Sequence, residues 1–413
     1  MTDRFLARQL LQLGLAGNAL RPVPGEAASI PAFFAGWLTG ELAPHLLAFG
    51  AADAALHVAR HGVRTRRDAL GLAVAAANLA TYSRLVTGGR RAAGEIEDAL
   101  VAALGPDYRD VLARDPLPTD DAARWSALAL PFWMREAGVV RTRRLPYAPG
   151  GRRFELDVYH RTDMPPDAPI LLQIHGGGWV VGNKDQQGIP LMLHMAARGW
   201  VCFAINYPLS PRARWPEHLV AVKRAVQWIR THGPEYGADP AFLAVTGGSA
   251  GGHLAAMLAL TAGDATLQPG FTEADTSVQA CAPHYGVYDF ADSAGTSTTE
   301  GLDALLRRYV MRPDAVYPDD LHAASPLFRV RPDAPPFLVV HGTNDTLVPV
   351  AEARAFVARL RDVSTAPVAY AEIAGAQHAF DVFPSVRSAA VVRGVARFLE
   401  WCHATRTVPS AAG

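Results

Sequence analysis

Three residues whose side chains can share one reaction occur in the order serine, acid, histidine: Ser249, Asp345 and His378. A serine hydroxyl attacks a carbonyl when a base removes its proton, and an imidazole is a good base when a carboxylate fixes its tautomer. Ser249 lies in Val245-Thr246-Gly247-Gly248-Ser249-Ala250-Gly251-Gly252, where the small residues around it permit the sharp turn of a G-x-S-x-G nucleophile elbow. Asp345 closes His341-Gly342-Thr343-Asn344-Asp345, and His378 closes Ala374-Gly375-Ala376-Gln377-His378. A fourth segment, His175-Gly176-Gly177-Gly178-Trp179, carries three successive glycines whose unshielded N–H groups suit a developing oxyanion. There are rivals. His341 ends its own strand and is expected to be a packed core histidine, while His253 falls in the first turn after the elbow and is expected to point away. Asp289 and Asp381 are the competing acids, one after a different strand, the other close behind His378.

These segments need a scaffold that delivers them to one edge. From about residue 138 strand and helix patterns alternate. Residues 139–147 and 153–160 alternate apolar with polar around Ala148-Pro149-Gly150-Gly151 and predict an antiparallel hairpin. Buried-type runs follow at 170–174, 201–205, 242–245, 278–282, 337–340 and 368–373. Helical patterns intervene at 189–198, 217–231, 253–261 and 351–363, and a last amphipathic helix covers 388–402. This alternation predicts an α/β fold with a mostly parallel, doubly wound sheet and a ligand site beyond the carboxyl ends of its strands. All four chemical segments lie at such ends. Residues 264–333 are longer than a βα connection requires and are expected to form a lid. Trp179, Phe271, Tyr285, Tyr288 and Phe380 could face a pocket, but aromatic residues near strand ends are expected to fill the core.

Residues 1–130 are rich in alanine and leucine and predict a helical N-terminal extension or cap, followed by a catalytic domain over 131–405 and a disordered tail over 406–413. Ser29 is expected to cap a helix starting near Ile30. Thr65 and Asp68 predict a capping box opening a second helix, which Gly88-Gly89 would stop, and residues 95–104 predict a third. Phe33, Phe34, Trp37, Leu38, Leu46, Leu47 and Phe49 suit a domain interface or a peripheral membrane contact, and the interface is preferred because an extended cap must bury something. Pro31, Glu41, Pro44 and His45 interrupt the apolar run over 30–52 and argue against a clean bilayer span. His45, His57 and His61, with Glu41 and Asp53, fall at helical spacings that invite a metal reading. With no second ligand helix evident, a polar helix face is preferred.

The 413 residues carry 39 basic and 39 acidic side chains, so no basic stripe recommends nucleic acid, and a small neutral substrate fits better. Cys202, Cys281 and Cys402 stand in apolar runs without metal-ligand spacing and read as free thiols. With no clear targeting signal, the expectation is a cytoplasmic location, with peripheral membrane association as the alternative.

Taken together, His-Gly-Gly-Gly-Trp, Gly-Gly-Ser-Ala-Gly-Gly, Asn344-Asp345, Gln377-His378-Ala379-Phe380 and Asn206-Tyr207-Pro208-Leu209-Ser210-Pro211 resemble the α/β-hydrolases of the bacterial hormone-sensitive lipase-like branch, the family IV esterases. The resemblance covers about residues 138 to 405 and implies carboxylic ester hydrolysis through an acyl-enzyme. It also implies an oxyanion hole formed by the N–H groups of Gly177, Gly178 and Ala250, and no metal or organic cofactor. The chain departs from the branch at Gly248, where Asp is usual, at His253, where Asn is frequent, and at Pro208, where Arg is usual. The expected function is hydrolysis of small to medium, short-chain esters. An amidase, formamidase or sugar-acetyl esterase with the same triad, and a non-catalytic ligand-binding module, are the alternatives.

Overall fold

The computed structural model describes residues 2–113, 125–164, 166–293, 295 and 300–406. Eight strands form one sheet: β1 (Val139–Pro146), β2 (Glu155–Arg161), β3 (Ala168–Ile174), β4 (Val201–Ile205), β5 (Ala238–Gly248), β6 (Ala280–His284), β7 (Phe337–Gly342) and β8 (Val368–Ile373). Their spatial order is β1-β2-β4-β3-β5-β6-β7-β8. The hairpin β1–β2 is antiparallel and β2 meets β4 antiparallel, while every pairing from β4 to β8 is parallel. This is the mostly parallel doubly wound sheet of an α/β-hydrolase fold. Each predicted strand is present, with ends moved by a few residues.

Strand periodicity divides the core into two layers. Ile170, Leu172, Phe203, Val245 and Val339 face α8 (Glu217–His232), α9 (Ala250–Leu260) and α12 (Val350–Val363). Leu171, Cys202, Ala244 and Leu338 face α7 (Ile189–Ala197) and α13 (Val386–Ala404). Between β6 and β7 come α10 (Glu300–Leu305) and α11 (Asp319–Ala323), so the segment expected as a lid also supplies a central strand.

The N-terminal region comprises α1 (Thr2–Leu20), α2 (Glu26–Glu41), α3 (Ala43–His61) and α4 (Arg66–Leu104), with short α5 (Tyr108–Ala113) and α6 (Trp125–Ala129). The expected capping box opens α4, with Thr65 accepting from the Asp68 N–H. Two expectations fail. Ser29 does not cap a helix: α2 begins at Glu26, and the Ser29 hydroxyl bonds back to the Glu26 carbonyl. Gly88-Gly89 does not stop α4, and the predicted third helix is the end of the same 39-residue helix. Each interior glycine costs about 1 kcal/mol of helix propensity, an amount tertiary packing readily exceeds. Gly89 lies against Val386 and Arg387 at the start of α13. The apolar run over 30–52 is broken by a bend of 78° between α2 and α3. The histidines and acids of the metal reading part company: His57 binds Asp68, Asp53 binds Arg8, and Glu41 binds Arg387 and Ser385. Of the expected tail only Arg406 is described, on Asp239, and residues 407–413 lie outside the described residues.

The C-terminal half of α4 belongs to the main core, where Ala92, Ile96 and Leu100 share a cluster with α7 and α13. Ile96 fills the space over Gly394 of α13 and is fully buried. Ile96→Ala is expected to destabilise the whole protein by about 2–5 kcal/mol. In chemical denaturation, one cooperative transition shifted to lower denaturant would be seen; an unchanged midpoint would mean that α4 is dispensable to the core.

Candidate active site

Ser249 occupies the turn between β5 and α9 with φ 58° and ψ −124°, a left-handed conformation that costs a non-glycine residue energy. Close approach explains its small neighbours. A Cβ on Gly251 would strike the carbonyl of Ile174, and one on Gly247 would lie 2.6 Å from the same oxygen. The elbow is therefore pressed against the end of β3, whose continuation is the His175–Gly178 loop. That loop is held from outside: the Gly176 N–H donates to Gln187 Oε1 at 2.7 Å, and the Tyr207 hydroxyl donates to the His175 carbonyl at 2.9 Å. Among the described residues, no group accepts from the N–H groups of Gly177, Gly178 or Ala250. The Ala250 N–H opens α9, where a helix leaves donors unused and its dipole favours negative charge.

Asp345 and His378 come together across the loops after β7 and β8. His378 Nδ1–H donates to Asp345 Oδ2 at 2.6 Å, leaving Nε2 as the basic nitrogen. Asp345 is buried, and burial alone would raise its carboxyl pKa. The His378 charge and hydrogen bonds from His341 and His378 overcome that and hold it well below the usual carboxylate range. The Leu347 and Val348 N–H groups, at 2.9 and 2.8 Å from Oδ1, complete its shell.

His341 is buried as expected, yet it is more than packing. Its Nε2–H donates to the Val348 carbonyl at 2.9 Å and stands 3.3 Å from Asp345 Oδ2, supporting the acid. His253 turns away from the elbow: it binds the Ala324 carbonyl and the Trp179 indole N–H, and burial pushes its pKa down to about 3. Asp289 accepts from the Ala291 N–H, and Asp381 from His284 and Tyr285, so neither rival acid reaches His378.

Several contributors were not singled out from the sequence. Gln377 Oε1 accepts from the N–H groups of Thr346 and His378, at 2.9 and 2.8 Å, and so ties the acid loop to the base loop. Its place beside His378 in the sequence was the available signal. Phe33 of α2 meets the His378 ring edge-on, with centroids 5.9 Å apart. Asn344 donates to the carbonyls of Ala19 and Leu20, Thr346 donates to that of Ser29, and the Ala374 N–H donates to Glu95. Arg387 forms a buried ion pair with Glu41 and reaches the Gly375 carbonyl. The N-terminal helices thus grip both loops, the one that carries Asp345 and the one that carries His378. Cavity size does not mark this site: a cleft of about 640 Å³ is lined by Arg153, Pro208, Arg212 and Arg224, among others, and by none of Ser249, Asp345 and His378.

Relatives share both the catalytic region and the helices. Residues 156–360 match the family described as BD-FAE. Esterase LipQ of Mycobacterium tuberculosis is 46% identical over 316 residues, covering 75% of each chain. The probable carboxylic ester hydrolase LipM of the same organism is 41% identical over 409 residues, covering 96% of this chain and 92% of its own. This chain belongs to the hormone-sensitive lipase-like family IV carboxylesterases. It is a carboxylic ester hydrolase, and the reading as a non-catalytic binding module falls. The LipM match runs through the N-terminal helices. A thermophilic esterase from Thermogutta terrifontis, with a TM-score of 0.54 and 23% identity, covers 70% of this chain and 99% of its own, and shares the fold.

Because Asp345 stays ionised well below neutral pH, the acidic limb of the kcat/KM profile of this carboxylesterase should follow a single proton. Its log–log slope is expected to be about one. A slope of two between pH 4 and 7 would mean that the carboxylate titrates there as well.

Proposed function

We propose that this carboxylesterase uses Ser249 as nucleophile, His378 as general base and acid, and Asp345 as the residue that orients the imidazole. The observation that carries this reading is the buried 2.6 Å contact between His378 and Asp345, at the same sheet edge as a serine in a strained elbow. His378 Nε2 takes the hydroxyl proton as Ser249 attacks the ester carbonyl, and the carbonyl oxygen becomes a tetrahedral oxyanion. The uncommitted N–H groups of Gly177, Gly178 and Ala250 stabilise that charge. His378 then protonates the departing alkoxide, leaving an acyl-serine. Water, deprotonated by the same nitrogen, hydrolyses it and restores the enzyme.

Short acyl chains are the proposed substrates. Leu305 at the end of α10 lies over Gly178, its Cδ2 at contact distance from where a Cβ would stand, while Phe33 of α2 lies edge-on to His378. These two apolar groups bracket the reacting centre from the oxyanion side and the base side. Hydrolysis of p-nitrophenyl esters should fall as the acyl chain lengthens from acetate or butyrate to palmitate. Ser249→Ala and His378→Ala should each lower kcat by about 10³-fold or more, because the triad acts as a unit. A Ser249→Ala protein that keeps its turnover would refute the nucleophile, and faster hydrolysis of a matched formanilide than of the ester would favour the amidase reading.

Peripheral contact with a lipid surface is a second, compatible proposal. On α2 and α3 the side chains of Phe34 and Phe49 are more than half exposed, as are Phe132 and Trp133 nearby. Phe49, Leu130, Phe132 and Trp133 line one apolar depression of about 500 Å³. Exposed aromatic groups on a helical surface suit the boundary between headgroups and acyl chains. The protein should float with phosphatidylcholine vesicles, and combined Phe34→Ser, Phe49→Ser and Phe132→Ser replacement should abolish flotation. Equal flotation of the triple variant would exclude this face.

A further inference from the structure

A second, part-buried carboxylate lies three residues beyond His378, and the proposed mechanism does not use it. Asp381 accepts from His284 Nδ1–H at 2.5 Å and, through its other oxygen, from the Tyr285 hydroxyl. Burial alone would raise its carboxyl, but the His284 charge and these hydrogen bonds bring it below the usual carboxylate value. Its two partners lead to different members of the site. The carbonyl of His284 accepts the Ser249 N–H at 3.0 Å, so the residue that Asp381 fixes by its side chain fixes the elbow by its backbone. The Tyr285 ring packs against His378, with centroids 4.7 Å apart and planes at 56°. Tyr285 also occupies the space in front of the elbow, since a Cβ on Gly248 would lie 2.7 Å from its ring and hydroxyl. Its φ of 36° is a costly left-handed conformation that persists only where the surroundings hold it.

We propose that Asp381 is a positioning residue for ester hydrolysis, fixing the nucleophile elbow through His284 and the imidazole of His378 through Tyr285. This rests on the reading of Ser249 and His378 as nucleophile and base. The carboxylate reaches the imidazole through Tyr285, whose hydroxyl it accepts and whose ring lies against His378. The titratable and charged groups around it are His284 and Tyr285 at the end of β6, and the pair of Glu41 from α2 with Arg387 from α13; those around His378 are Asp345 and Tyr285.

Two substitutions separate tether from charge. Asp381→Asn offers one acceptor where two donors converge and removes the anion. It should lower kcat at least about tenfold, part of the 10²–10⁴ that general acid–base catalysis supplies, with KM within about twofold. The acidic limb of kcat/KM should move to lower pH, because the protonated imidazole loses an anion held by the tyrosine packed against it. Tyr285→Phe keeps the ring and the charge but cuts the tether, so kcat should fall while the acidic limb stays in place. Phosphonylation of Ser249 by a fluorophosphonate should slow in parallel in both variants. Wild-type kcat and an unmoved acidic limb in Asp381→Asn, with Ser249→Ala inactive, would overturn the proposal. Turnover by Ser249→Ala would instead overturn the reading on which it rests. If Asp381→Asn shows no cooperative thermal transition, Tyr285→Phe decides: wild-type kcat in a folded protein overturns the proposal.

Discussion

The hydrogen bond from His378 to Asp345 sets the terms for the rest of the site. An ionised carboxylate removed from water is tolerated only when its oxygens are satisfied within the protein. The loop after β7 does this with the Leu347 and Val348 N–H groups on one oxygen, and with His378 and His341 at the other. The chain must therefore turn sharply at 343–348 and fill one side of the acid with a second imidazole. The remaining side is left to His378, and the tautomer that results leaves Nε2 as its basic nitrogen.

Holding two loops in such a relation takes more than the sheet. The strand ends bring Asp345 and His378 to one edge, but their loops are fastened by groups from the helical N-terminal region: carbonyls of α1 and α2, the Glu95 carboxylate of α4, and Glu41 through Arg387. Burial of Glu41 raises its pKa, and its pairing with Arg387 and Ser385 opposes that shift. These helices also carry exposed aromatic groups on their outer side, and α2 alone has Phe33 against the base and Phe34 facing solvent.

Much of this was legible in the sequence because it rests on local rules. Buried parallel strands announce themselves as apolar runs, the elbow as a serine among small residues, and the Thr65–Asp68 box as a helix start. What escaped depends on contacts between distant segments. Gly88-Gly89 reads as a stop because glycine weakens an isolated helix, yet packing against α13 carries α4 through it. His341 reads as a core histidine since nothing local shows that the chain folds its ring back onto Asp345. Tyr285 is correctly expected to be buried, but its neighbours come from distant segments: Gly248 from the end of β5, and His378 and Asp381 from the loop after β8. The departure from the branch at Gly248 becomes intelligible in the same way, because a tyrosine occupies the space that a side chain there would need.

Covalent acylation of Ser249 is the event on which the proposed mechanism turns. Acid quenching during turnover of a short-chain p-nitrophenyl ester, followed by peptide mass spectrometry, reads this out. An acyl group is expected on the peptide containing Ser249, accumulating in the pre-steady state and absent from His378→Ala. Turnover with no acyl adduct at Ser249, or with the adduct on another residue, would contradict it.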